Sequence, residues 1–356
     1  MKICFIADSY SPHTQKWVKH FIKLGHEVSI ISCSKTKIDG AENYYIPYID
    51  KISKKRFWET YKNIKNVKNV LKNIKPDILH GHYAIFGGFY CFTLRRNYNT
   101  VISAWGSDVL VFPKTSLINN LLTKKILRNS KYITSDSDYM TKEIIKLRGS
   151  SKNVYTFPMG VENEIFNFRH EYFTDNDTLQ IISLRLHNSN YRIDTIIKGF
   201  YEALKINKNL FLTIGATGND SNKLRELVTK FKIEDKVNFI GWYDAKDIGS
   251  ILIDKDVAIS IPISDATSVS LLETMAVGVF PIVSNIPANQ EWIRNNENGL
   301  IIEPTVENVR DSILWCSENK KFMKDISQKN ANFIKSKATW DVNVKIVESL
   351  YNEILR

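Results

Sequence analysis

Residues 257–284, VAISIPISDATSVSLLETMAVGVFPIVS, run from a short apolar segment through small polar residues into a helix-length segment, then into a second apolar run, FPIVS. That order reads strand, loop, helix, strand, the repeating unit of a parallel sheet covered by helices. Upstream the alternation continues through LQIISLRL, a helix from Asp194 to Ile206, LFLTIGATG, a helix from Asn222 to Phe231, VNFIGW and a helix near Ile248 to Ile253. The first half repeats it with KICFIAD, EVSIISC, DILHGH, TVISAW, YITSDS and NVYTFPMG, separated by helix-length runs, one of them near Asn119 to Asn129. The pattern predicts an α/β protein made of doubly wound sheets.

At 356 residues the chain is long for one core and suits two domains. The stretch NEIFNFRHEYFTDNDT, residues 163–178, is polar and keeps neither period, so it is expected to link them. The expected division is a first domain over 1–165, a second over 175–335, and a helix over 336–356 packing back on the first domain. Doubly wound sheets bind ligands beyond the carboxyl ends of their strands. Two such domains facing each other are expected to form one interdomain cleft.

The loop SDATS, residues 264–268, ends in hydroxyl residues at a helix start. There Thr267 or Ser268 can cap, and first-turn N–H groups, from Val269 onward, point outward. Such an end accepts a diphosphate, because the helix dipole supplies roughly half a positive charge without a metal. Asp265 and Glu273 stand eight positions apart, one at the loop mouth and one deeper. The deeper carboxylate suits two vicinal ribose hydroxyls. In SLRLHNSNYRID, Arg185 follows the strand and is placed to neutralise a leaving diphosphate.

These residues carry a resemblance. Asp265, seven residues, Glu273, then TMAVGVFPIVS and NIPANQEWI resemble the retaining glycosyltransferases of family 4, where two acids separated by seven residues precede an LLEAMA-like run and a DIPGNREWI-like segment. The resemblance implies a GT-B fold of two Rossmann-like domains. It also implies transfer of a sugar from a nucleoside diphosphate, most often UDP, to an acceptor hydroxyl with retained anomeric configuration. Front-face attack is implied, with the leaving phosphate helping to deprotonate the acceptor, and no cofactor or metal is expected. Glu273 then holds the nucleotide ribose, and Asp265, where the family usually has Glu, lies by the transferred sugar. The common R-x5-K pair is replaced by Arg185 with Tyr191 at the Lys spacing, which resembles a subgroup carrying a Tyr-x-Ile-Asp turn. Arg192, one further, is a second phosphate cation or a surface charge. Gly215, Gly218 and Gly241 close strands; in the family the corresponding loops hold the base, which makes Trp242 and Tyr243 its candidate neighbours, although tight turns alone also explain the glycines.

In the first half, SYSPHTQKWVKHFIKLGHEVSIIS resembles the family's opening strand, loop and helix, with His13 and Thr14 where many members have Gly-Gly. His13 is a candidate acceptor contact. His80 and His82 flank Gly81, and the expectation is one ring turned inward and His82 toward the acceptor, with a satisfied structural histidine as the rival role. WGSD, residues 105–108, aligns with an HGSD-like loop. Trp105 replaces an imidazole and keeps only a stacking role, and Asp108 either orients the acceptor hydroxyl or caps a helix. Asp136 and Asp138 in SDSD read as N-cap and turn acids rather than as a metal motif.

The net charge of +11 is uneven: residues 1–165 hold 26 Lys and Arg against 13 Asp and Glu. Much of the excess lies in KISKKRFWETYKNIKNVKNVLKNIK, residues 51–75, where Phe57, Tyr61, Ile64, Val67 and Leu71 keep helical spacing among lysines. Such a helix suits an anionic membrane surface, or is simply amphipathic with a solvated lysine face. Nucleic acid is excluded as a partner because no recognition motif accompanies the charge. No run reaches the roughly 20 apolar residues of a membrane span. No leader pattern precedes KICFIAD, so the chain is expected to stay in the cytoplasm, peripheral at most to the membrane. Cys4, Cys33, Cys91 and Cys316 lack CxxC spacing and read as reduced core thiols. The expected product is a cell-surface glycan or lipid-linked sugar. Two rival readings share the donor: a non-catalytic partner that only binds the sugar nucleotide, and a GT-B-like UDP-sugar 2-epimerase. Nicotinamide dehydrogenase chemistry is disfavoured, since no GxGxxG follows a strand.

Overall fold

The computed structural model describes residues 1–47, 57–169 and 178–356. Residues 51–56 of the basic segment and residues 170–177 of the expected linker lie outside the described residues. The chain divides into two compact units, Met1–Pro158 with Lys345–Arg356, and Met159–Val344.

The first unit has the strands β1 (Lys2–Ile6), β2 (Glu27–Ser32), β3 (Glu42–Tyr45), β4 (Ile78–His82), β5 (Thr100–Ser103), β6 (Tyr132–Ser135) and β7 (Val154–Thr156). Between them run α1 (Pro12–Lys23), α2 (Phe57–Ile74), α3 (Gly88–Leu94), α4 (Ser107–Leu110), α5 (Leu117–Arg128) and α6 (Asp138–Arg148). The described strands pair in parallel in the order β3-β2-β1-β4-β5-β6-β7. Central strands are covered on both faces, which is why Ile3, Cys4, Phe5 and Ile6 form an unbroken apolar run with no exposed surface. The edge strand β3, ENYY, is largely exposed and was not legible in the sequence, because one face to solvent removes the apolar run that marks a buried strand.

The second unit has β8 (Leu179–Ser183), β9 (Leu210–Gly215), β10 (Val237–Gly241), β11 (Val257–Ser260), β12 (Phe280–Ser284) and β13 (Leu300–Ile302), in the parallel order β10-β9-β8-β11-β12-β13. Its helices are α7 (Ile193–Ile206), α8 (Ser221–Phe231), α9 (Ile248–Leu252), α10 (Val269–Val277), α11 (Pro287–Gln290), α12 (Val306–Glu318) and α13 (Lys320–Lys337). One core joins Ile196, Ile197 and Phe200 to Leu212, Val309 and Ile313. Gly199 permits that packing: a Cβ there would lie 2.5 Å from the Val309 side chain. The other core gathers Leu271, Leu272, Met275, Val283 and Ile334. Val161 and Ile165, placed by sequence in the first domain, pack into this second core. Two apolar residues in an otherwise polar stretch were too weak a signal to move the boundary.

The last helix, α14 (Trp340–Leu355), carries residues Lys345–Arg356 into the first unit. Tyr351 is fully buried there, stacks on Phe21 with ring centroids 5.0 Å apart, and lies 2.5 Å from His80 Nδ1. His20 pairs with Glu348 at 2.8 Å. Cys4, Cys91 and Cys316 are buried free thiols and Cys33 is a half-buried one. Among the described residues, no helix is long and apolar enough to cross a membrane.

Candidate active site

In each sheet the strand order reverses at one place, between β1 and β4 in the first unit and between β8 and β11 in the second. Loops leaving such a pair diverge and open a crevice, the usual ligand site of this architecture. Arg185 follows β8, and Asp265, Thr267 and Ser268 follow β11.

In the second unit these residues meet. The buried Arg185 guanidinium donates to Asp265 Oδ2 at 2.6 Å, to Ser270 Oγ at 3.1 Å and to Ser268 Oγ, and it lies 4.3 Å from the centroid of the Tyr191 ring. Burial pulls its pKa down, and the Asp265 carboxylate with Tyr191 more than offsets this, leaving the cation firmly charged. Ser268 is the N-cap of α10, its Oγ accepting the Leu271 N–H at 3.3 Å. Thr267 beside it is buried and Val269 opens the helix half-buried. Glu273 is half-buried further along α10. It lies close to Tyr243, whose hydroxyl pKa is raised by burial and then by Glu273, against a pull downward from Arg185. Arg185, Tyr191, Tyr243, Asp265, Ser268 and Glu273 therefore form one cluster, with Tyr243 donating to the Leu184 carbonyl at 3.3 Å.

Gly215 belongs to the same neighbourhood, since a Cβ there would meet Leu184 at 2.9 Å and Tyr243 at 3.1 Å. Gly241 has a φ of +71° with open space around its missing side chain, and Trp242 next to it is exposed. Gly218 leaves no room for a side chain, its Cβ position lying 2.4 Å from the His187 carbonyl oxygen. Arg192 points elsewhere: it starts α7 in the left-handed region and donates to the Pro304 carbonyl at 3.3 Å.

Sequence reasoning passed over the residues that brace this cluster. Asn190 clamps the loop after β11, its carbonyl accepting the Ile263 N–H at 2.8 Å and its side-chain amide bonding both the carbonyl and the N–H of Ser264, at 3.0 and 3.2 Å. Buried His187 joins Ser221 Oγ at 2.8 Å to the Gly215 carbonyl at 3.1 Å. The available signal was the polar run HNSN directly after a strand, where side-chain amides replace backbone partners.

In the first unit, His13 and Thr14 stand in the first turn of α1, His13 exposed and Thr14 buried. His13 meets half-buried Trp105 edge-on at 5.8 Å, and Trp105 lies 4.6 Å from the ring of His82. The expectation that His80 and His82 face opposite ways fails: both are buried, with rings 4.7 Å apart. Residues two apart in a strand share a face. Their partners differ, however. His80 bonds Tyr351 and, at 2.7 Å, Ser103 Oγ, so it is the satisfied structural histidine. His82, between Phe5, Trp17, His80 and Trp105, has no hydrogen-bond partner on either ring nitrogen among the described residues, and neither has Thr14 Oγ1. Burial, then His80 and His13, holds the His82 pKa well below the usual value, so its ring is neutral. Asp108 is fully buried and accepts backbone N–H groups of Ala84 at 2.6 Å, Gly106 at 3.0 Å and Trp105 at 3.2 Å. It ties the loop after β5 to the loop after β4. Burial raises its pKa to about 6 against the pull of those bonds. The cap of α6 is Ser137, which accepts the Met140 N–H at 3.1 Å, so neither acid of SDSD is the N-cap. No group of three or more His, Cys, Asp or Glu is placed to hold a metal among the described residues.

Residues 2–137 match the model of a family described as Glycosyl transferase 4-like, and residues 164–333 match that of the Glycosyl transferases group 1. The chain belongs to the family 4-type glycosyltransferases. It is similar to the N-acetyl-alpha-D-glucosaminyl L-malate synthase of Bacillus anthracis, 22% identical over 291 residues that cover 79% of this chain and 75% of that protein. It is also similar to a phosphatidylinositol N-acetylglucosaminyltransferase subunit of Arabidopsis thaliana, 20% identical over 350 residues, 86% of this chain and 76% of the relative. In fold the transferase resembles Anabaena HepE, solved in complex with UDP-glucose, with a TM-score of 0.79 at 12% identity over 99% of this chain and 100% of the other. The two parallel-sheet units are those of the GT-B fold.

Proposed function

We propose that this glycosyltransferase moves an N-acetylhexosaminyl or hexosyl group from UDP to a hydroxyl of a glycan or lipid-linked acceptor in surface-polysaccharide synthesis. Transfer is proposed to retain the anomeric configuration and to need no metal. The observation that supports the reading best is the cluster of Arg185, Asp265, Ser268 and Glu273 where the strand order of the second unit reverses. The names of both relatives concern an N-acetylglucosaminyl group, which favours that class of donor.

In this reading the start of α10 and Arg185 hold the diphosphate. A guanidinium has five N–H donors, and with three bonded to Asp265, Ser268 and Ser270, two remain for phosphate oxygens. As the bond from the anomeric carbon to the diphosphate breaks, its electron pair moves to the phosphate oxygen, and Arg185 neutralises the charge that develops. The acceptor oxygen bonds the anomeric carbon on the same face and its proton passes to that phosphate oxygen. Glu273 accepts the ribose hydroxyls, Asp265 stands by the sugar, and Gly241, Trp242 and Tyr243 flank the base. His13, Thr14, His82 and Trp105 are proposed to line the acceptor site.

A thermal-shift screen of UDP-sugars tests the reading, because a ligand bound only by the folded chain raises its melting temperature. A UDP-sugar is expected to do so. In Glu273→Ala the affinity for that donor is expected to fall roughly tenfold or more, through two lost bonds to ribose. Absence of a shift with every nucleotide-sugar, or wild-type affinity in the variant, would overturn the assignment. NMR of the product gives the anomeric configuration, and transfer that survives EDTA supports a metal-free reaction.

A further inference from the structure

The order of the first sheet sends the connections β3 to β4, β4 to β5, β5 to β6 and β6 to β7 in one direction across it. Right-handed crossovers place α2, α3, α5 and α6 on a single face, and α3 packs against both α2 and α5. Helices α2 and α5 each end three residues short of the next strand, β4 or β6, and so run back from the far end of the sheet. The first turns of α2 and α5 therefore lie at one end of one face, the sheet end that also holds His13, His82 and Trp105.

Those first turns carry large exposed apolar side chains. On α5, Leu117 is 85% exposed, Ile118 77% and Leu121 66%, with Val111 just ahead at 42%. On α2, Trp58 is 69% exposed and Tyr61 55%, their rings edge to face with centroids 6.4 Å apart. A helix turn that met only water would be polar here, as the rest of an exposed face is. The inner side of α5 is ordinary, with Ile126 and Leu127 in the core. On the α5 side of the patch the charge has one sign, whereas α2 carries exposed Glu59 between Trp58 and Tyr61. Residues 109–135 hold no Asp or Glu but contain Lys114, Lys124, Lys125, Arg128 and Lys131. Lys125 and Arg128 continue the stripe begun by Leu121.

We infer that this end of the first unit docks on the surface of an anionic lipid bilayer. Leu117, Ile118 and Leu121 enter the acyl boundary, Trp58 and Tyr61 sit at headgroup depth, and the lysines meet the lipid phosphates. The sequence placed membrane contact on the basic segment 51–75 alone; the structure moves its apolar anchor to α5. Docking would hold the acceptor residues beside the headgroups, which selects a lipid-linked acceptor over a free glycan. That choice of acceptor rests on the transferase reading above, whereas docking itself does not.

The test is flotation of the full chain with vesicles of phosphatidylcholine alone and of equal parts phosphatidylcholine and phosphatidylglycerol, with no donor or acceptor present. The wild type is expected to float with the anionic vesicles, less so at high salt. The combined variant Leu117→Ser, Ile118→Asn, Leu121→Ser is expected to lose partitioning roughly a hundredfold, since each side chain gives up part of its burial free energy. Lys114→Glu with Lys125→Glu is expected to abolish the preference for phosphatidylglycerol. All these positions are exposed, so unchanged melting temperatures and an unchanged donor-induced shift show that the fold and donor site survive. No binding by the wild type, or equal binding by the apolar variant, would overturn docking. So would sedimentation showing a wild-type dimer that becomes monomeric in the variant, because the patch would then belong to a second copy. A donor shift without vesicle binding rejects docking and leaves the transferase reading standing; vesicle binding without a donor shift does the reverse.

Discussion

Arg185 is held from three sides before any phosphate arrives, by Asp265, by two serine hydroxyls and by the face of Tyr191. A cation so positioned needs little reorganisation when charge develops beside it, and that is the condition under which electrostatic stabilisation of a leaving group is greatest. Arg185→Ala is expected to slow transfer by about a hundredfold or more, read as kcat in a single-turnover assay. Arg185→Lys should recover little, because an ammonium offers neither the planar fork nor the stacking surface. The buried His80 and His82 also act on stability. Burial lowers the His80 pKa from 6.5 to about 3, and His82 is depressed as well. Below the unfolded value the unfolded chain takes up protons that the folded chain refuses, so stability falls as pH drops through this window. Asp108 works in the opposite direction, gaining stability as pH falls from about 6 toward its ordinary 3.8. Two histidines outweigh one carboxyl. Urea titrations at stepped pH should show a loss on acidification below about pH 6, shallower by about 1 kcal/mol per pH unit in His80→Asn.

Helix α10 does two tasks at its two ends. Its start is capped by Ser268, and its end is closed by Gly278 at a φ of +93°. The core around Leu271, Leu272 and Met275 fixes the axis between them. Gly278→Ala forces a side chain into the left-handed region, with its Cβ 2.0 Å from Ser327 Oγ. A loss of roughly 1–3 kcal/mol in urea denaturation is expected. Donor affinity of the folded fraction should remain unchanged by calorimetry, because the strain lies at the end of the helix away from Ser268.

The return of the chain terminus into the first unit rests on few residues, and Tyr351 is the largest of them. It is fully buried, stacked on Phe21 and joined to His80, which in turn bonds Ser103. Tyr351→Ala removes an aromatic side chain from a packed site and strands the His80 nitrogen. A destabilisation of about 3–5 kcal/mol is expected in the unfolding transition of the first unit. Tyr351→Phe, which keeps the packing, should cost about 1–2 kcal/mol, separating the hydrogen bond from the ring.

The α/β class, most strands of both sheets and the segment from Asp265 to Glu273 were readable from the sequence alone, because buried parallel strands are continuous apolar runs and helix starts carry small hydroxyl residues. These are local signals. Strand β3 escaped because an exposed edge strand lacks such a run, and β13 because its run, LII, is only three residues long. The pairing of Arg185 with Asp265, the clamp at Asn190, the meeting of His13 with Trp105 and His82, and the exposure of Leu117 and Ile118 depend on strand order and helix packing. Residues 80 positions apart in sequence become hydrogen-bonded neighbours only because β8 lies beside β11, and side-chain periodicity carries no information about which strands lie side by side.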